Sequence, residues 1–217
     1  MGVPFRRKAL LILAMVVLAY AYGALTAAVP APDDPDQFWV SNLGAPYVAL
    51  PFVGVIVALS TSSIRWWTSA GITGAVITAA IVAGFYGLHL VGRHAQADIG
   101  EQESLGEAYL RWLSTFVFGI PGGLPWISIG VVAGATAGVL AWWWRTRRSV
   151  GAGVLGVSPL IVEGAARLVA ADRGLPLAGG FPRTPANVVI WAIELGVGAA
   201  AVWAVACDAR ARDRVKA

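Results

Sequence analysis

The chain has 217 residues, of which 58% are hydrophobic and only 13% charged, with a mean hydropathy of +0.70 and a formal net charge of +4. Soluble domains carry roughly 45–50% apolar and about 25% charged residues, so this balance excludes an ordinary soluble domain. A single cysteine, Cys207, excludes an internal disulfide framework and a cysteine-rich metal site, and the basic residues sit in short clusters beside apolar runs, a pattern of membrane topology rather than of nucleic-acid binding.

Only helices and closed barrels satisfy the backbone inside lipid. The apolar runs are long and continuous rather than alternating segments of about ten residues, so the expected fold is all-α. It is a single transmembrane domain over residues 1–217, a polytopic bundle of about six spanning helices. In chain order the spans are expected over 9–29, 45–60, 69–91, 126–144, 150–171 and 188–207. The second is short and carries Pro46 and Pro51; the fourth follows "FGIPGGLP", Phe118 to Pro125, read as a turn. A retained first helix is preferred to a cleaved signal peptide, because its apolar run of about 21 residues exceeds the usual core of roughly 7–15.

Orientation follows the arginines and lysines. With a cytoplasmic N-terminus, the inner side receives Arg6, Arg7, Lys8, Arg65, Arg145, Arg147, Arg148 and the tail residues Arg210, Arg212, Arg214 and Lys216. These are 11 of the 16 basic residues, so both termini are expected to be cytoplasmic, in a bacterial inner membrane. The acidic "DDPD", Asp33 to Asp36, and "DIGEQE", Asp98 to Glu103, then fall outside. Trp66, Trp67, Trp112, Trp126 and the triplet Trp142 to Trp144 are expected to anchor span ends at the headgroup level. Between the third and fourth spans, residues 104–118 mix Glu107 and Arg111 with Leu105, Tyr109, Leu110 and Leu113, as an amphipathic helix at the outer surface would.

Chemistry is sparse in such a chain, which makes its intramembrane charges informative. A carboxylate or guanidinium at a helix centre costs about 2.5–3.5 kcal/mol on insertion scales. Glu163 and Arg167 lie four apart, on one face of the fifth helix, with the acid N-terminal as a favourable pair requires. Arg167 has the alternative of snorkelling outward. Glu194 in the sixth helix lies at a similar depth, roughly 10–14 Å from the outer end at 1.5 Å per residue. Tyr86 and His89, three apart near the outer end of the third helix, share a face, and Tyr20 and Tyr22 are candidates to join them. These residues define a candidate pocket opening outward, with Glu163, Arg167 and Glu194 at its floor and Tyr86 and His89 at its mouth. The competing reading is a brace in which Arg167 is neutralised by the two glutamates. His89 and His94 are five apart, poor metal-ligand spacing, so no metal and no cofactor is expected.

Gly130, Gly134 and Gly138 place a strip of small residues on one face of the fourth helix, suited to close packing within the chain or to a homo-oligomer contact.

The stretches "YGALTAAVP", "VSNLGAPYVALPFVGVIVA", "GAVITAAIVAGFYG" and "SPLIVEGAARL" together span most of the helical core. On them the chain resembles a domain-of-unknown-function group of small multi-spanning membrane proteins from high-GC bacteria. The resemblance implies a six-helix membrane fold and carries no reaction with it.

Three functions remain open at this point. The first is binding or transport of a small molecule or lipid in the outward pocket. The second is a membrane-embedded enzyme acting on a lipid or isoprenoid, with an intramembrane glutamate as general acid or base. Against it, the helices contain no paired aspartate-rich motif for a metal-bound diphosphate; "DDPDQ", Asp33 to Gln37, reads as a solvated loop. The third is a non-catalytic assembly protein. The partners expected are the bilayer, a small-molecule or lipid ligand, and a membrane partner or second copy, with no nucleic acid.

Overall fold

The computed structural model describes residues 3–28, 46–61, 66–99, 103–118, 123–170 and 184–214, and among these residues there is no strand. The helices are α1 (Val3–Ala28), α2 (Pro46–Thr61), α3 (Trp67–Phe85), α4 (Gly92–Ala97), α5 (Leu105–Phe118), α6 (Gly123–Arg147), α7 (Val150–Ala170) and α8 (Pro185–Arg214). Among the described residues five stretches are long and apolar enough to cross a membrane: Leu10–Ala28, Trp67–Phe85, Ile127–Arg147, Val150–Val169 and Asn187–Ala211. Their outer faces carry Leu13, Leu18, Val132, Val162 and Trp203, all exposed on the bundle and suited to acyl chains. The molecule is a multi-pass helical membrane protein.

Helix packing is set by small residues. A β-carbon on Gly134 would collide with the Thr78 side chain and the Gly74 carbonyl, and one on Gly138 with the Ala70 carbonyl, so α6 lies directly on α3, antiparallel to it. A β-carbon on Gly23 would strike the Ile81 carbonyl, and one on Gly84 the Tyr20 carbonyl, which sets α1 directly on α3; Met15 and Ile77, earlier in each helix, both meet at Gly54 of α2, so the two helices run in the same direction. The strip of Gly130, Gly134 and Gly138 is thus occupied within the chain, by Thr78, Gly74 and Ala70 respectively.

The two intrahelical prolines each free a carbonyl, and each carbonyl lies beside a hydroxyl, though the Thr78 hydroxyl is shared with the Gly74 carbonyl at 3.2 Å. Pro51 has no N–H for the Tyr47 carbonyl, which lies 3.3 Å from the buried Thr78 hydroxyl of α3. Pro159 leaves the Leu155 carbonyl free, and Ser158 donates its hydroxyl there at 3.0 Å. Apolar helices tolerate these breaks because the freed groups are satisfied locally.

Several expectations change. The third run does not continue as one helix to residue 91: a wide turn over Tyr86–Val91 follows α3, with Gly87 at φ −69°, ψ −136°, outside helical geometry. The fourth helix begins at Gly123, taking Pro125 into its first turn where no N–H is needed, and the first and last helices extend further than their apolar cores. Of the tryptophan triplet, Trp142 is only 9% exposed and Trp144 stacks on Phe52 at 5.8 Å, so two of the three belong to the core rather than the headgroup belt. The reason is that α6 runs on to Arg147, leaving the triplet about a turn inside its end. There the chain reverses through Arg148, whose φ of 57° is left-handed, and Ser149, whose hydroxyl accepts from Ala152 N–H at 3.3 Å and caps α7. The acidic loop 33–37, Arg65, Arg173 and Arg183 lie outside the described residues, as does the Trp126 side chain.

Candidate functional site

The site is built on the α7–α8 hairpin. A β-carbon on Gly164 would come within 2.9 Å of the Trp191 carbonyl oxygen and 3.0 Å of the Leu195 nitrogen. One on Gly198 would come within 2.9 Å of the Ile161 nitrogen. The two helices therefore touch backbone to backbone on both sides of a short stretch. With Gly153 against Val205 further along, the antiparallel register sets Glu163 opposite Glu194. The buried positions of α8, Asn187, Trp191, Glu194, Gly198 and Val205, follow one another at four, three, four and seven residues, a single helix face, and Glu194 belongs to that row.

Arg167 does not snorkel outward. It is 6% exposed and folds back one turn, donating Nε–H to Glu163 Oε1 at 3.0 Å and Nη2–H to the same oxygen at 2.6 Å. Glu194 is also 6% exposed, and its carboxyl group faces that of Glu163 at hydrogen-bonding range. As two carboxylates these groups offer only acceptors to each other, and both Glu194 oxygens are buried without a hydrogen-bond donor. Burying such a group without a partner is costly, so the arrangement has an unmet demand for a donor.

Two tyrosines complete the cluster from across the bundle. Tyr22 of α1 buries its hydroxyl without a hydrogen-bond partner, within electrostatic range of Glu163, Glu194 and Tyr47. Tyr47, at the start of α2, stands in the same relation to Tyr86. Over the described residues, the Cα traces of α1 and of the α7–α8 hairpin stay more than 8 Å apart. Across this part of the bundle the Tyr22 phenol faces the carboxyl pair without close backbone packing between the helices that carry them.

Above the cluster, α4 and α5 form an aromatic cap. His94 stacks near Trp112 at 4.6 Å and Phe116 at 5.3 Å, and Phe116 approaches Tyr86 at 6.0 Å. Trp112 thus packs within the cap, half-buried, with its indole N–H buried. α5 starts with a reciprocal cap, Ser104 N–H and hydroxyl both donating to Glu107 at 2.8 Å and Glu107 N–H returning to the Ser104 hydroxyl at 3.3 Å. These hydrogen bonds hold the Glu107 carboxyl below the usual carboxylate range. Arg111 ties the cap together, pairing with Glu103 at 3.0 Å and Asp98 at 3.2 Å.

Of the candidate residues, Glu163, Arg167 and Glu194 come together. Tyr86 belongs to the cap and relates to the cluster through Tyr47. The continuous helix on which its shared face with His89 rested is broken at Gly87, and the His89 side chain lies outside the described residues. Tyr20 is partly exposed and lays its hydroxyl against Gly87, beside Tyr86, while Tyr22 faces inward. Tyr47 was not anticipated. Its only sequence signal is its place four residues before Pro51, where a carbonyl must find a foreign donor. Among the described residues no group of three or more His, Cys, Asp or Glu side chains is placed to hold a metal ion. Compared with known proteins, the chain matches no family model, no curated protein and no solved structure.

Proposed function

We propose that the protein crosses a bacterial inner membrane six times, with both termini cytoplasmic, and binds or carries a small molecule admitted from the cap side between α1, α2 and the α7–α8 hairpin. The single observation that carries the binding reading is the buried and unpartnered polar capacity at one level of the bundle: both oxygens of Glu194 and the hydroxyl of Tyr22. A finished brace would satisfy its own donors and acceptors, because an unmet buried polar group costs about 1–3 kcal/mol. A ligand that donates to Glu194 would remove that cost.

Six crossings are supported by the direction of packing. α1 and α3 run parallel, so the chain between them must return across the bilayer, and α2 is the apolar helix available for it. At 16 residues α2 is short for a span, but Tyr47 lies beside the cap end of α3 and Phe52 fills the space above Gly156 of α7, deep in the bundle. The clusters of Arg145, Arg147 and Arg148 and of Arg210, Arg212 and Arg214 support a cytoplasmic side opposite the cap.

Native mass spectrometry of the protein in membrane-derived particles tests the reading. A co-purifying mass is expected on the wild type and not on Glu194→Gln, with both proteins folded. A bare wild type, together with a Glu194→Gln variant of lower melting temperature, would contradict it and leave the cluster as a brace.

A further inference from the structure

The unpartnered groups also say what kind of molecule would suit them, an inference that rests on the binding reading above. α7 contributes Glu163 and Arg167, one charge of each sign in contact, and α8 contributes Glu194. The helices facing them add no charge at this level: α1 offers the phenol of Tyr22 and α2 that of Tyr47, while Tyr86 lies beyond Tyr47. Asn187, two turns from Glu194 on the same face of α8, is neutral, and its backbone N–H donates to the Thr184 hydroxyl at the start of that helix. With both carboxyl groups ionised, the cluster holds one negative charge in excess inside the membrane.

A neutral ligand would leave that charge standing, and a divalent cation would reverse it. A metal ion also asks for several oxygen ligands in a closed shell, and among the described residues no triad of metal-ligating side chains stands near. Two species match the charge and the missing donor together. One is a proton, shared between Glu163 and Glu194 as a carboxyl-to-carboxylate hydrogen bond. The other is a monovalent cation with N–H groups, seated beside tyrosine rings that favour ammonium groups.

We propose that Glu194, with Glu163, is the binding site for a monovalent ammonium compound, and that this cation exchanges for a single proton shared by the two carboxyl groups. The exchange is balanced: the ammonium N–H donates to Glu194, the shared proton leaves to water, and the charge of the cluster does not change. Arg167 holds Glu163 in place and remains bound to it throughout. Because the cation must displace a proton, its affinity falls about tenfold for each unit of pH below the titration of the pair and levels off above it.

Infrared spectroscopy of the protein in lipid nanodiscs tests this. The protonated-carboxyl stretch is expected in the wild type at neutral pH and absent from both Glu163→Gln and Glu194→Gln. Adding methylammonium or phenethylammonium should remove the wild-type band and release one proton per bound cation; this arm needs no variant to fold. A band that neither ammonium ion changes would overturn the proposal, as would sodium removing it equally well. If the uncharged phenethyl alcohol raises the melting temperature while the band persists, the binding reading stands and the ammonium proposal fails. If none of the three compounds moves the melting temperature and native preparations carry no ligand, both fail.

Discussion

Arg167 holds the polar cluster together, because it is the described cation that offsets two facing carboxyl groups in a setting nearly closed to solvent. Removing one partner of a buried ion pair leaves the other uncompensated, typically at about 3–5 kcal/mol. Arg167→Gln should therefore destabilise the protein by that order, and adding Glu163→Gln should restore part of it; a double variant no more stable than Arg167→Gln would contradict the pairing. Glu194→Gln should behave differently. Its amide supplies the donor that the two acceptors lack, so the melting temperature in nanodiscs should hold or rise. A fall would mean that Glu194 has a structural partner. At this scale the sequence carried half the site. Glu163 and Arg167 were legible because four residues on a helix place side chains on one face whatever surrounds them. The partnership with Glu194 was not legible, since depth in two helices fixes height and not rotation. The rotation comes from Gly164 and Gly198, whose missing side chains let two backbones meet.

At the scale of elements, the same logic separates what the sequence could announce from what it could not. The glycine strip of α6 was visible as spacing, but its partner, α3, was fixed by the complementary Gly74 and Thr78. Gly134→Val should force these helices apart at about 1–3 kcal/mol, the usual cost of overpacking, read as lower thermal stability without loss of oligomers. Thr78→Val, which keeps the shape and deletes the hydroxyl near the Tyr47 carbonyl, should cost less, about 0.6–1.7 kcal/mol as for other interhelical hydrogen bonds in membranes. The expected helix to residue 91 failed because apolar composition continues through Gly87 while backbone geometry does not. The amphipathic helix after it was legible from its mixed faces, and its cap gives a pH prediction. Ser104 holds the Glu107 carboxyl below its ordinary value, so the cap stabilises α5 above the unfolded carboxylate range, about 4.3. That contribution is lost as pH falls through the lower, folded value. Exchange protection of the first α5 amides should thus be flat from neutral pH to mild acid and drop below it. Glu107→Gln should remove the acid-dependent drop; a wild-type profile unchanged by the substitution would refute the assignment.

At the scale of the whole molecule, composition was the strongest signal, because lipid leaves a chain few alternatives to helices with apolar faces. Direction of packing goes further than composition: α1, α3 and α7 run one way, α6 and α8 the other. Cysteine labelling in intact cells, in a Cys207→Ser background, should mark Ser114→Cys on α5 with an impermeant reagent and leave a tail Lys216→Cys unlabelled until the membrane is opened. The whole functional account depends on one juxtaposition, Glu163 facing Glu194 across the hairpin. The measurement that reaches it most directly is disulfide formation in the Cys207→Ser background, comparing Glu163→Cys/Glu194→Cys with Glu163→Cys/Ile193→Cys under mild oxidation. Ile193 is exposed on the neighbouring face of α8. Facing cysteines should bridge readily and the Ile193 pair should not, since a disulfide requires Cα atoms within about 7 Å and converging side chains. Equal bridging, or faster bridging through Ile193, would separate the two carboxylates and dissolve the site.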